Sequence, residues 1–240
     1  MIISHHKKFV YIRTVKTGSS SLEVYLSQFC KEKDTITSLF QEEEKFKKDF
    51  GLPGYQNCQF KKKSFGIKNF LNFSFYNTVN LHDHKSIDKI YKTDLHNIIK
   101  DYFFFTFVRN PFDWLISFFY WNLISENKYK ISDINDLSQN NIDYMFEKFI
   151  DEKGKNFFEW QKNLVTSKNY KINIFKYEDI YSVMENLKKE LNLVNEKFLL
   201  QNINFKKLGI KKKVLINKNK KNKIIEIGEY FFKNFYYDII

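Results

Sequence analysis

Apolar residues recur along this chain in two rhythms, alternating over short runs and returning every three or four positions over longer ones. Residues 8–13 alternate and then run apolar, which predicts a central buried strand. Leu22, Tyr25, Leu26 and Phe29 follow at helical spacing, placing a first helix from Ser19 to about Gln28. A second helix fits Ser86–Lys100, with Ile87, Ile90, Tyr91, Leu95 and Ile98 on its apolar face. The run Tyr102–Val108 suits a buried strand, and Pro111 opens a helix that turns Phe112, Leu115, Ile116, Phe119 and Leu123 inward. Another helix carries Ile142, Met145, Phe146 and Phe149. Residues 171–176 alternate as a strand, and Tyr177-Glu178-Asp179 leads into a helix through Ile180, Val183, Met184, Leu187 and Leu191. A last helix near 222–235 carries Ile224, Ile227, Phe231 and Phe235. Residues 31–80 read as a surface excursion with one or two short strands, 125–140 as loop, and 205–223 as a lysine-rich stretch. Strands alternating with helices predict an α/β fold with three layers, α/β/α, around a central parallel sheet.

Composition narrows this further. The 240 residues suffice for one sizeable core, so a single domain spanning 1–240 is expected. Aromatic content of 19% excludes disorder as the general state, and 7 Gly with 2 Pro argue against a turn-dense β-sandwich. Lys and Arg outnumber Asp and Glu by 40 to 28, a net +12 that favours anionic partners. Cys30 and Cys58 do not make a disulfide framework and read as two thiols in a reducing compartment. No apolar run approaches the ~20 residues of a membrane-spanning helix.

Two strand–turn–helix junctions carry the candidate chemistry. The first is Lys16-Thr17-Gly18-Ser19-Ser20-Ser21, which follows the first strand. Helix N-terminal amides, hydroxyls and an ammonium meet there, a combination suited to an anion. The plainer alternative is a serine N-cap with Lys16 in solvent. A nucleoside-triphosphate loop of the Walker A type would place its lysine after the second glycine, and here the lysine comes first. The second junction is Phe107-Val108-Arg109-Asn110-Pro111-Phe112-Asp113, with Ser117 eight residues beyond Arg109. Arg109 and Ser117 reach one ligand only if Arg109 folds back along the helix; the alternative is an Arg109–Asp113 clamp.

Together the junctions resemble the sulfotransferases that use 3′-phosphoadenosine 5′-phosphosulfate (PAPS), in particular the carbohydrate branch of Golgi and heparan-sulfate type. Lys16–Ser21 is similar to that family's loop for the 5′-phosphosulfate, and Arg109 with Ser117 to its 3′-phosphate motif. Ile174-Phe175-Lys176-Tyr177-Glu178-Asp179-Ile180 resembles the family's Tyr-Glu-Asp-Leu segment, and Phe231–Tyr237 its closing aromatic pattern. The resemblance implies a P-loop-NTPase-like sulfotransferase fold. It also implies PAPS as donor, PAP as product, no metal, and Lys16, Thr17, Gly18, Ser19, Ser20, Ser21, Arg109 and Ser117 as nucleotide-binding residues. Two positions depart from the family pattern: Val15 stands where proline usually precedes the lysine, and Trp114 where an arginine often follows the Asn-Pro-x-Asp turn. Val15 is expected to loosen the loop.

The chain has five histidines, His5, His6, His82, His84 and His96. No further Cys, His or Asp cluster has ligand spacing that would make His82-x-His84 a metal site. The resemblance places a general base just ahead of the helix that precedes the 3′-phosphate strand; His84 matches that place best and His82 is second. Imidazole suits the task because it titrates near neutrality. Lys61-Lys62-Lys63 and Lys211-Lys212-Lys213 are either solvated faces or a grip for an acidic acceptor or for the cofactor's 3′-phosphate, and Trp160 and Phe65 are candidates to line a sugar site. The expected activity is sulfuryl transfer from PAPS to a hydroxyl of a carbohydrate or other acceptor, with catalytic Lys16 and His84, in the cytoplasm, without specific nucleic acid or a membrane span. A P-loop-like kinase and a basic nucleic-acid-binding protein are the alternatives, and each predicts a different stabilising ligand.

Overall fold

The computed structural model describes residues 1–61, 78–81, 84–91, 93–126, 129–194, 197, 199–200, 203 and 209–238. The expectations placed on Lys62, Lys63, Phe65 and His82 fall outside them.

A five-stranded sheet runs in the order β3-β1-β2-β6-β7. Its strands are β1 (Ile2–Ser4), β2 (Phe9–Tyr11), β3 (Thr35–Ile36), β6 (Phe103–Val108) and β7 (Ile172–Lys176). Strands β2, β6 and β7 are parallel, with Tyr11 opposite Phe105 and Phe107 opposite Phe175. The sheet is mixed rather than wholly parallel, because β1 runs antiparallel to both β2 and β3. Only residues 5–8 join β1 to β2, and a connection that short can only reverse the chain. Two further strands, β4 (Gln59–Lys61) and β5 (Thr78–Asn80), pair as a separate ribbon.

Alternation along β2 and β6 divides the core between the two faces of the sheet. Phe9, Tyr11, Phe105 and Phe107 pack with Leu22 and Leu26 of α1 (Ser19–Ser27) and with Met184 and Leu187 of α8 (Ile180–Glu190). Val10, Ile12 and Phe104 point the other way, onto Ile87, Ile90, Leu95 and Ile99. The helix expected over Ser86–Lys100 is therefore two pieces, a 3-10 turn at Ile87–Ile90 and α3 at Leu95–Ile99. Thr93 closes the first piece, giving both its amide (2.8 Å) and its hydroxyl (2.7 Å) to the Ile90 carbonyl.

A third cluster joins α4 (Pro111–Ser125) to a helical lobe. That lobe holds α5 (Ile131–Asp136), α6 (Gln139–Phe149), a π-turn at Ile150–Gly154, and α7 (Lys155–Val165). It closes with α9 (Lys218–Ile227) and α10 (Glu229–Phe235), which divide the expected last helix at Gly228. A Cβ at Gly228 would lie 2.9 Å from the Ile224 carbonyl oxygen. Sequence patterning also passed over α2 (Gln41–Asp49), a helix built mostly of Glu and Lys. No helix among the described residues is long and apolar enough to cross a membrane.

Candidate active site at the carboxyl ends of the strands

The chain leaves the carboxyl ends of β2, β6 and β7 at Ile12, Arg109 and Tyr177, and the cleft lies there, where open α/β sheets hold ligands. It has a volume of about 190 Å³. Lys16, Gly18, Ser19, Ser20 and Ser21 line one side of it, and Arg109 and Ser117 line it as well. Tyr177, Ile180, Tyr181, Leu200 and Ile203 supply an aromatic and aliphatic wall. Seven of the residues singled out from sequence thus face one space.

The loop from Arg13 to Gly18 has an unusual backbone. Lys16 (φ 63°) and Gly18 (φ 65°) are both left-handed and flank Thr17. Left-handed residues in such alternation turn successive N–H groups toward one concavity, the arrangement that holds anions. The N-cap of α1 is Gly18, with no side-chain capping bond, so the serines are not spent as ordinary caps. Thr17 differs from its neighbours: its side chain is buried, with its hydroxyl 2.8 Å from that of Thr14, leaving only its backbone to serve a ligand. Thr14 in turn donates to the Phe107 carbonyl at 2.6 Å, tying loop to strand β6.

Val15 does not loosen the loop. Its amide donates to Gln161 Oε1 at 3.1 Å, a bond that proline has no hydrogen to make, and its carbonyl accepts from Trp114 Nε1. Trp114 and Gln161 are fully buried, so both departures from the family pattern meet in a single clamp on the loop. Neither Gln161 nor its place in that clamp was legible in the sequence.

Arg109 and Ser117 line the same cleft, and Arg109 is held by contacts to the loop and to β7's exit. Its Nη1 donates to the Lys16 carbonyl at 3.3 Å, and its guanidinium sits 5.2 Å from the centre of the Tyr177 ring. Asn110 caps α4 by accepting from the Phe112 amide at 3.0 Å, with Pro111 at the first helical position. The Asn110 amide is held by Glu178 Oε1 at 2.7 Å, while Glu178 Oε2 accepts from Tyr237 at 3.0 Å. Burial, first, and then the Glu178 carboxylate push the Tyr237 phenol well above its ordinary range, so it stays a donor.

Tyr177 bounds the cleft tightly. A Cβ on Gly18 would stand 2.8 Å from its Cε2, besides forcing a side chain into the left-handed region. Gly18→Ala is expected to cost about 1–3 kcal/mol, lowering the melting temperature by several degrees for a chain of this length. It should also weaken anion binding; thermal denaturation and ligand titration together check this. Unchanged values in both would show that the loop tolerates another shape.

His84 stands beside the cleft rather than in its lining. It has a positive φ of 53°, is half-buried, and places Nδ1 3.1 Å from the Arg13 carbonyl oxygen. A carbonyl only accepts, so this contact is made by a protonated Nδ1, which leaves Nε2 as the basic nitrogen of the neutral ring. The ring meets Trp160 edge-on, centroids 5.8 Å apart. The run at Lys211–Lys213 lies extended against the helical lobe: Tyr120 donates to the Lys212 carbonyl (2.7 Å) and Gln139 to that of Lys213 (2.8 Å). No group of three His, Cys, Asp or Glu side chains among the described residues is arranged to hold a metal.

A loop of amides and hydroxyls with a lysine, and an arginine bonded to that loop, line one cleft of an α/β protein, and these groups have the chemistry to hold anions. The model of the sulfotransferase family matches residues 1–226, and the chain belongs to that family. No curated protein and no solved structure matches the chain. Family membership makes the protein a PAPS-dependent sulfotransferase, an enzyme that moves a sulfuryl group to a hydroxyl-bearing acceptor.

Proposed function

We propose that the acceptor is a carbohydrate, that Lys16–Ser21 hold the 5′-phosphosulfate of PAPS, that Arg109 and Ser117 hold its 3′-phosphate, and that His84 is the general base. One observation carries the reading: the two anion-binding junctions, about ninety residues apart in sequence, open into a single cleft. The residues present suit the nucleotide's anionic groups: Lys16, the serines and Arg109 line the cleft, and Gly18 leaves clear a space where a Cβ would meet Tyr177 at 2.8 Å.

PAPS supplies the sulfuryl group when bound. The chain's own residues orient and neutralise: the α1 terminus and the Ser19–Ser21 hydroxyls donate to oxygens at one end, and Arg109 fixes the other, which aligns the donor for in-line displacement. Lys16 stabilises the negative charge that develops on the bridging oxygen of the leaving nucleotide. His84 Nε2 takes the acceptor's hydroxyl proton. Trp160, 38% exposed beside His84, offers an apolar ring surface suited to a sugar.

A thermal shift series tests the reading. At one hundred times its dissociation constant, PAP should stabilise the protein by about 2.7 kcal/mol, or roughly 5–10 °C at this size. ATP with Mg²⁺ and a mixed oligonucleotide should leave the melting temperature in place. Stabilisation by ATP and Mg²⁺ but not by PAP would overturn the donor assignment in favour of a kinase.

A further inference from the structure

Beneath the loop lies a buried guanidinium to which the sequence patterning assigned nothing. Arg13 is 2% exposed; its Nε donates to Ser19 Oγ at 3.3 Å and its Nη2 to Ser20 Oγ at 3.0 Å. Behind it Glu23, one turn further along α1 and wholly buried, lies 3.8 Å from Nε. Burial alone would push the Glu23 carboxyl up, but the Met1 amino group, Arg13 and Lys47 outweigh it and hold it below the usual range, so it faces Arg13 as a carboxylate. The backbone carbonyl of Arg13 accepts from His84 Nδ1 at 3.1 Å.

A guanidinium has five donors and no acceptor. Each serine oxygen therefore meets Arg13 as an acceptor, and neither hydroxyl hydrogen is spent on it. Both serines line the cleft, and a hydroxyl that accepts from a cation becomes a better donor on its other side. Without that constraint, a serine in the first turn of a helix turns readily toward nearby backbone carbonyls. Lysine would not serve equally, because one flexible ammonium lacks the rigid fork that spans two hydroxyls.

We propose that Arg13 is a positioning residue for the donor nucleotide, acting through the hydroxyls of Ser19 and Ser20, which it orients as hydrogen-bond donors into the cleft. The inference rests on the PAPS reading of that cleft. Arg13 touches neither donor nor acceptor; its work is to fix which way two hydroxyls point.

A double-mutant cycle tests this, with PAP affinity measured calorimetrically for the wild type, Arg13→Lys, Ser19→Ala/Ser20→Ala and the combined variant. Arg13→Lys should weaken PAP about tenfold in the wild-type background, the scale of a lost charge-assisted bond, and by no more than about twofold where both hydroxyls are absent. In steady state it should raise KM for PAPS while leaving kcat within about twofold. Equal losses in the two backgrounds, or no loss in the first, would overturn the proposal while leaving the PAPS reading intact. A wild type that does not bind PAP removes both. If Arg13→Lys does not fold, the Arg13 Nε–H resonance of the wild type decides: it should move on PAP addition, and a static signal overturns the proposal.

Discussion

Replacing His84 with alanine is expected to lower sulfuryl transfer by about 10²–10⁴-fold, the usual contribution of a positioned base, while leaving PAP affinity unchanged. The tautomer makes this prediction sharp. With Nδ1 committed to the Arg13 carbonyl at 3.1 Å, the ring has one orientation and one basic nitrogen. Holding the ring in a left-handed backbone conformation costs free energy, and such conformations gather at functional sites. His84→Asn offers an amide that can still donate to the Arg13 carbonyl but cannot take a proton, so it should be as inactive as alanine. His82→Ala is expected to cost far less. Exogenous imidazole should partly restore His84→Ala. Full turnover in His84→Ala would transfer the base assignment to His82, and an equal loss of PAP binding would make His84 a structural residue of the loop.

Legibility in the sequence followed the range of the interactions. Strand β6 and the start of α4 were readable almost to the residue, because a continuous apolar run, an Asn cap and a Pro at the first turn are all local signals. Lys16–Ser21 and Arg109 with Ser117 were readable for the same reason: each motif sits on one contiguous junction. Helix α2 was not, since its burial falls on charged side chains, Glu43 and Lys47, which carry no apolar period. Helix α7 holds Phe157, Phe158, Gln161, Leu164 and Val165 inward, and its role lies in a contact to Val15 that spans 146 residues. Val15 and Trp114 show the limit most clearly. Taken singly, each looks like a weakened family position; in the fold Trp114 holds the Val15 carbonyl while Gln161 accepts from the Val15 amide. The same holds for Tyr177 and Arg13, whose functional neighbours arrive from other strands and from the first turn of α1.

Lys16→Ala should reduce turnover by about 10²–10³-fold, the loss typical of removing one donor aimed at developing charge, with a smaller loss in PAP affinity. Lys16 is half-buried in the cleft wall, and its carbonyl is held by Arg109 at 3.3 Å, so the backbone of the loop is fixed independently of the amine. Its φ of 63° raises a second explanation for any loss, namely backbone strain. Alanine answers that in part, because it carries the same Cβ and so keeps the left-handed penalty that lysine already bears. Glycine answers it fully, since it adopts φ near +60° without cost. If the ammonium is what matters, Lys16→Gly and Lys16→Ala should be equally slow, even where glycine raises the melting temperature. If Lys16→Gly keeps wild-type turnover, the charge at this position does no chemistry, and stabilisation of the leaving nucleotide falls to Arg109 and the α1 terminus alone.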